Sequence, residues 1–290
     1  MKLSGKAVAY GAVTVINAIS CGLGAALGVA LRTEAYVELT DRPGRIEGHI
    51  LSDPQESTLL MKKTVIHVLR HFGVEDQYGA YVETKSNIPI ARGLKSSSAA
   101  ANAIALAVFA ALREEVDDLI AVNIGVDAAL EAGVTITGAF DDASASYFGG
   151  LVLTDNHKRK ILKRVQIEED YPVLIYVPHE KAYTAKSNVE RMKLIANQVK
   201  ALHKMASSGD YWSAMTLNGI IYSTVLGYDT KVAIDALSAG ALAAGLSGTG
   251  PAVAAVVPHR KVDEVKNAWR KYNGVVIETR INSEKAHILR

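Results

Sequence analysis

Two kinds of hydrophobic patterning alternate along this chain. Over 6–16, 28–39 and 78–84, short apolar runs rich in β-branched residues predict strands, whereas 57–72 and 96–112 carry the spacing of helices. The second of these helices, SSSAAANAIALAVFAAL, is apolar on nearly every side, which predicts burial at the centre of its domain. A strand over 151–154 follows the Gly149-Gly150 pair, and a basic run over 157–164 comes next. Beyond it the pattern predicts a strand at 173–177, helices at 189–207, 211–226 and 231–243, a strand at 252–257, a helix at 261–272 and a strand at 274–279. The first half therefore reads as α+β and the second as a split βαβ, ferredoxin-like unit. The division falls at residue 156, giving domains over 1–156 and 157–290, and no internal repeat is visible.

Length supports that division, because 290 residues is long for one compact core, and two domains sharing a cleft offer a natural small-ligand site. Apolar residues at 49% and charged residues at 21% fit an ordinary globular protein. With 32 basic against 30 acidic residues and 6% aromatics, neither a phosphate-tracking face nor a base-stacking platform is indicated, so nucleic acid is not an expected partner. The run HKRKILKR reads as a solvated hairpin or linker rather than an anion site. Cys21 is the one cysteine, which excludes an internal disulfide and a cysteine-rich zinc site and predicts a reducing, cytoplasmic setting. The charge-free stretch 11–31 has the length of a membrane span, and Lys2 and Lys6 ahead of Ala18-Ile19-Ser20-Cys21 imitate a lipoprotein signal. Four glycines with Thr14, Asn17 and Ser20 argue instead for a strand, a loop and a second buried element, with no membrane association.

Chemistry concentrates in four segments. In Pro89-Ile-Ala-Arg-Gly-Leu-Lys-Ser-Ser-Ser-Ala-Ala, a proline sets an extended approach, a glycine permits a tight turn, and three serines stand where a long helix begins. A helix N-terminus with added hydroxyls is a phosphate cradle, although a serine N-cap on a core helix also accounts for the pattern. A Walker A loop is excluded, since Leu94 occupies the place where that motif needs glycine before Lys-Ser. Gly5-Lys6 opens the first strand, where Lys6 alone reads as a surface lysine. Leu246-Ser-Gly-Thr-Gly-Pro lets backbone approach a ligand closely, or forms an ordinary turn. Thr137-Gly-Ala-Phe-Asp-Asp carries adjacent acids, Asp141 and Asp142, whose repulsion favours raising one pKa, or which cap the following helix.

Taken in order, these segments resemble the motifs of the GHMP kinase superfamily, and Gly-Leu-Lys-Ser-Ser-Ser is similar to the archaeal-type shikimate kinases within it. Lys95 departs from the wider pattern by standing where that superfamily has glycine. The resemblance implies a two-domain fold, a ribosomal protein S5 domain 2-like N-terminal domain with a ferredoxin-like C-terminal domain. It implies that Pro89, Ile90, Ala91, Arg92, Gly93, Leu94, Lys95, Ser96, Ser97, Ser98 and Ala99 form the ATP-binding segment, with backbone N–H groups from Gly93 to Ser98 on the phosphates. Ser97 and Glu131, the latter eleven residues before Asp142, are implied Mg²⁺ ligands. Asp142, with six residues between it and the glycine pair, accepts or orients the acceptor proton ahead of Asp141 as second choice, and Lys6 stabilises charge nearby.

The implied reaction is ATP-dependent phosphorylation of shikimate to shikimate 3-phosphate, a step toward chorismate and the aromatic amino acids. Arg32, Arg92, Lys186 and Arg191 are candidates for the substrate carboxylate. A homodimer is compatible with the resemblance. Homoserine kinase, mevalonate kinase, a diphosphomevalonate decarboxylase-like lyase and a non-catalytic nucleotide sensor stand as alternatives.

Overall fold

The computed structural model describes residues 3–179 and 188–290. Its first sheet follows from two long strands, β1 (Ser4–Ile16) and β2 (Leu23–Thr40), which run antiparallel along their whole length. From Ala7 to Ile16 every residue of β1 is buried, so both faces of the strand are covered, as its unbroken apolar run requires. The outer half of β2 instead alternates buried with exposed or half-buried positions, placing Glu34 and Glu38 away from Ala35 and Val37. The charge-free stretch is thus the buried end of β1, a turn, and the buried start of β2. Among the described residues no helix is long and apolar enough to cross a membrane.

The same sheet takes β3 (Ile46–Ile50) and β4 (Gly79–Ser86) on one side and β11 (His287–Leu289) on the other, in the order β11-β1-β2-β4-β3. A hairpin of β5 (Leu151–Asp155) and β6 (Lys160–Val165) adds to the first half of β2. The basic run is therefore a hairpin strand: Arg159 pairs with Asp127 at 2.5 Å and Lys163 donates to the Ser207 carbonyl at 3.1 Å. The division expected at residue 156 lies in the turn of this hairpin, so the first sheet continues to Val165 and is rejoined by the C-terminal strand.

Helices α1 (Leu59–His71), α2 (Ser96–Leu112) and α4 (Phe140–Phe148) pack with this sheet, and α3 (Asp118–Glu131) packs on these three helices. The all-round apolar character of α2 is explained by its position, since it contacts β1, β2, α1, α3 and α4. Gly5 is part of that packing: a Cβ there would lie 2.2 Å from the Ala107 carbonyl oxygen.

The second sheet, β10-β7-β9-β8, is built from β7 (Pro172–Pro178), β8 (Ala243–Leu246), β9 (Val253–Val256) and β10 (Gly274–Arg280). All of its neighbouring strands are antiparallel, the arrangement of a ferredoxin-like unit. Between β7 and β8 come α5 (Val189–Lys193), α6 (Ala196–Ser207), α7 (Tyr211–Leu226) and α8 (Lys231–Ser238), and α9 (Val262–Trp269) precedes β10. Strand β8 replaces the end of the helix expected over 231–243. Ala241 and Leu242 follow a Gly240 at φ 104°, which stops the helix and turns the chain into the sheet. One apolar cluster joins the halves, with Val13, Leu27 and Val29 packed together with Val173, Ile175 and Ala254.

Candidate active site

Two helix N-termini and one glycine-rich loop meet at a cavity of about 300 Å³. The loop before α2 reaches it through alternating left-handed positions: Ala91 at φ 55°, Gly93 at φ 81° and Lys95 at φ 63°. Such turns aim successive backbone N–H groups toward one point, forming an anion nest continuous with the unpaired N–H groups of the helix. Ser96, Ser97 and Ser98 border the cavity from the first turn of α2, where the helix dipole is positive. Gly93 has no substitute in this turn, since a Cβ would lie 2.1 Å from the carbonyl oxygen of Ser247.

The loop over 247–250 is fastened to both the nest and the end of β1. Ser247 Oγ donates to the Gly93 carbonyl at 2.7 Å and accepts from Thr14 N at 3.1 Å. Gly248 N donates to Thr14 Oγ1 at 2.8 Å, and Asn17 Nδ2 donates to the Gly248 carbonyl at 2.8 Å. Asn17 is in turn held by α7, through Asn218 Oδ1 on its N–H at 3.1 Å and Tyr222 Oη donating to its carbonyl at 3.0 Å. Thr14 and Asn17 line the cavity but escaped sequence reasoning. Their signal was present as two polar positions in an otherwise apolar strand end.

Helix α4 presents its first turn to the same space. Ala139 at φ 49° swings the chain into the helix, so that Asp141 and Asp142 both border the cavity. Their surroundings differ. Asp141 is buried, and Asn156 grips it twice: Asn156 Nδ2 donates to Asp141 Oδ1 at 2.8 Å, while Asn156 Oδ1 accepts from Asp141 N at 3.2 Å. Asp142 faces Lys95, whose Nζ lies 3.0 Å from its Oδ1; the two side chains are 7% and 14% exposed. Burial, reinforced by the Asp141 charge and opposed by Lys95, pushes the Asp142 carboxyl up to about 7. A carboxyl so poised exchanges a proton at neutral pH.

The structure therefore brings together Gly93, Leu94, Lys95, Ser96, Ser97, Ser98, Asp141 and Asp142, with Ile90 and Ala91. Pro89, Arg92 and Ala99 belong to the same segment but do not line the cavity. Lys6 does not join them. It is exposed near the start of β1, over the ring of Tyr36 at 5.6 Å, roughly 25 Å along the strand from Thr14 at ~3.3 Å per residue. Glu131 also lies outside the lining. Its two carboxylate oxygens take Lys63 at 2.5 Å and His67 at 2.7 Å on α1, and these hydrogen bonds hold its carboxyl below the usual range. Leu130 and Glu131 end α3 on its outer side, whereas Ala129 and Ala132 face the cavity.

Of the carboxylate-binding candidates, Arg32 pairs with Glu34 at 3.1 Å, Arg92 donates to the His179 carbonyl at 2.5 Å, and Arg191 lies on α5. None of these three lines the cavity, and Lys186 lies outside the described residues. Lys95 is the one Lys or Arg among the described lining residues. The lining also includes the apolar Ile50, Leu60, Met61, Ile90 and Val134 and the polar Ser52, Glu56 and Ser57.

Comparison with known proteins agrees with this geometry. The family model of the GHMP kinases N terminal domain matches residues 60–150, which include the nest, α2 and the Asp141-Asp142 turn, and that of the GHMP kinases C terminal domain matches residues 192–274. The shikimate kinase of Methanosarcina mazei is 48% identical over 288 residues, 99% of this chain and 97% of that protein. The shikimate kinase of Methanococcoides burtonii is 46% identical over 286 residues, 98% of each. Among solved structures, homoserine kinase from Cytophaga hutchinsonii superposes with a TM-score of 0.77 at 19% identity, covering 100% of this chain and 98% of that one, a likeness of fold. Family matches in both halves and close full-length relatives, added to the nest and its facing carboxylate, mean that this chain belongs to the GHMP kinase family.

Proposed function

We propose that this chain transfers the γ-phosphoryl group of ATP to a hydroxyl of shikimate, giving shikimate 3-phosphate and ADP. The observation that carries this reading is the meeting of a phosphate nest at α2 with a carboxyl poised near neutrality at α4, in a chain whose full-length relatives bear the name shikimate kinase. Phosphoryl transfer asks for an in-line nucleophile and neutralised charge, and little covalent chemistry from the protein.

In this reading the N–H groups from Gly93 to Ser98 hold the polyphosphate, and the apolar wall of Ile50, Leu60, Met61 and Val134 covers the flat purine. Asp142 takes the proton of the attacking hydroxyl as the new O–P bond forms and the bond to the β-phosphate breaks, its electron pair leaving on ADP. Asp141, fixed by Asn156, supports the turn and keeps a second negative charge near Asp142. The donor set suits Mg²⁺ only sparsely: Ser97 offers a hydroxyl, so phosphate oxygens and water would complete the shell, as is common for this ion. Bound there, Mg²⁺ neutralises phosphate charge. Glu131, tied to Lys63 and His67, is not among the ligands we assign. A cytoplasmic, reducing setting suits both ATP supply and the free Cys21.

Coupled measurement of ADP release, with shikimate, homoserine, mevalonate or no alcohol present, tests the reading. Release dependent on shikimate is expected. A preference for another alcohol, or ADP release indifferent to any acceptor, overturns it.

A further inference from the structure

Lys95 occupies a backbone conformation that a lysine adopts only at a cost. Its φ of 63° and ψ of 31° are left-handed, at the residue that opens α2. Glycine would hold this turn without strain, so the side chain must supply something the backbone does not need. That side chain is 7% exposed, which is unusual for lysine outside an ion pair.

Its ammonium stands where the three chemical segments converge. Nζ is 3.0 Å from Asp142 Oδ1 on α4, and it packs against the 247–250 loop closely enough that a Cβ on Gly248 would lie 3.1 Å from it. The serine-bearing turn of α2 follows directly. Among the described lining residues Lys95 is the one Lys or Arg, and Lys6 is far down β1. An ammonium carries three donors, of which the Asp142 contact uses one. Any hydroxyl that gives its proton to Asp142 sits within one further contact of Lys95, as does the phosphoryl group it attacks.

We infer that Lys95 is the catalytic cation of this site: its ammonium stabilises the charge on the transferring phosphoryl group while pairing with the Asp142 carboxylate that takes the acceptor's proton. The inference rests on the phosphoryl-transfer reading above and deepens it. The proton that moves is the hydroxyl's, taken by Asp142, and the electron pair leaves on ADP. The same ammonium opposes the upward push on Asp142 from burial and from Asp141. The remaining ionisable side chain among the described lining residues is Glu56, and outside the lining His203 interacts electrostatically with Asp141 and Asp155.

Lys95→Met, Lys95→Arg and Lys6→Met test this, each checked by thermal melting for intact folding. Lys95→Met is expected to lower kcat by about 10²–10³-fold, the loss typical of removing one transition-state donor. It should also move the acid limb of the kcat profile to higher pH, because Asp142 loses its opposing charge. Lys95→Arg should recover part of the rate and restore the limb, and Lys6→Met should stay within about twofold of the unaltered chain. Binding of ADP with aluminium fluoride, which needs no turnover, should weaken at least tenfold in Lys95→Met and little in Lys6→Met. A folded Lys95→Met protein with kcat and acid limb unchanged overturns the role of Lys95 alone. Absence of acceptor-dependent ADP release from the unaltered chain overturns the underlying reading, and this inference with it.

Discussion

Ser247 and Gly93, 154 positions apart, hold each other twice over: the serine hydroxyl donates to the glycine carbonyl at 2.7 Å, and the serine carbonyl occupies the space a Cβ on that glycine would need. The loop at the edge of the second sheet is thus the floor of the nest in the first half, and the proposed phosphate site depends on the two halves staying docked. Ala252 N donating to the Arg92 carbonyl at 3.2 Å adds to the same junction.

Gly93→Ala should therefore damage stability and activity together. The new methyl meets backbone at 2.1 Å in a left-handed residue, and neither partner is a flexible side-chain end. A loss of about 2–4 kcal/mol is expected from strain and displaced packing, with ATP binding lost in the fraction that folds. Denaturant unfolding and nucleotide titration of the purified variant check it; a Gly93→Ala chain of normal stability and affinity would show that the junction is not the constraint claimed.

Asn17 should matter through its contacts rather than through chemistry of its own. Its amide ties Gly248, and its backbone is held by Asn218 and Tyr222 on α7. Asn17→Ala leaves the Gly248 carbonyl without this buried donor and should cost about 1–3 kcal/mol. Turnover should fall by a smaller factor than in Asp142→Asn, and a melting temperature equal to that of the unaltered chain contradicts the contact's importance.

Because the Asp142 carboxyl is pushed up to about 7, kcat should rise with pH through the neutral range and level off above it. Asp142→Asn should lose about 10²–10⁴-fold in kcat and the limb along with it, while nucleotide still binds. Rate profiles between pH 5 and pH 9 read both effects. Near-normal turnover in Asp142→Asn removes the residue from proton transfer.

The same carboxyl predicts a stability trend that needs no substrate. Its folded pKa of about 7 lies above the ordinary 3.8, so between those values the folded chain keeps a proton that the unfolded chain has released. This contribution to stability is present below about pH 4 and is lost as pH rises toward 7, with a steepest slope on the order of 1 kcal/mol per pH unit. Melting of the unaltered chain and of Asp142→Asn across pH 4–8 isolates it, since other groups cancel in the difference. A difference that stays flat across that range rules out the raised pKa.

What the sequence determined by itself were the features written in local pattern. The helix expected over 96–112 runs over those residues, and that expected over 211–226 likewise, because a long apolar periodicity with clear ends leaves little choice. The nest was legible for the same reason: Gly93 and three serines at a helix start act through backbone geometry that neighbours in the chain dictate. Strand β3, strand β8 and the C-terminal β11 were not legible, being three to five residues long and stable only through their partners β4, β9 and β1. The rest of the lining was decided by tertiary structure. Lys6 and Glu131 were expected at the site and stand outside it, on an outer strand position and in an ion pair with α1, whereas Thr14 and Asn17, which were not expected there, line it beside the expected Lys95, Asp141 and Asp142. Sequence spacing limits which backbone a side chain hangs from, but the cavity it faces is made by elements hundreds of positions away, and only their packing sets which charges meet.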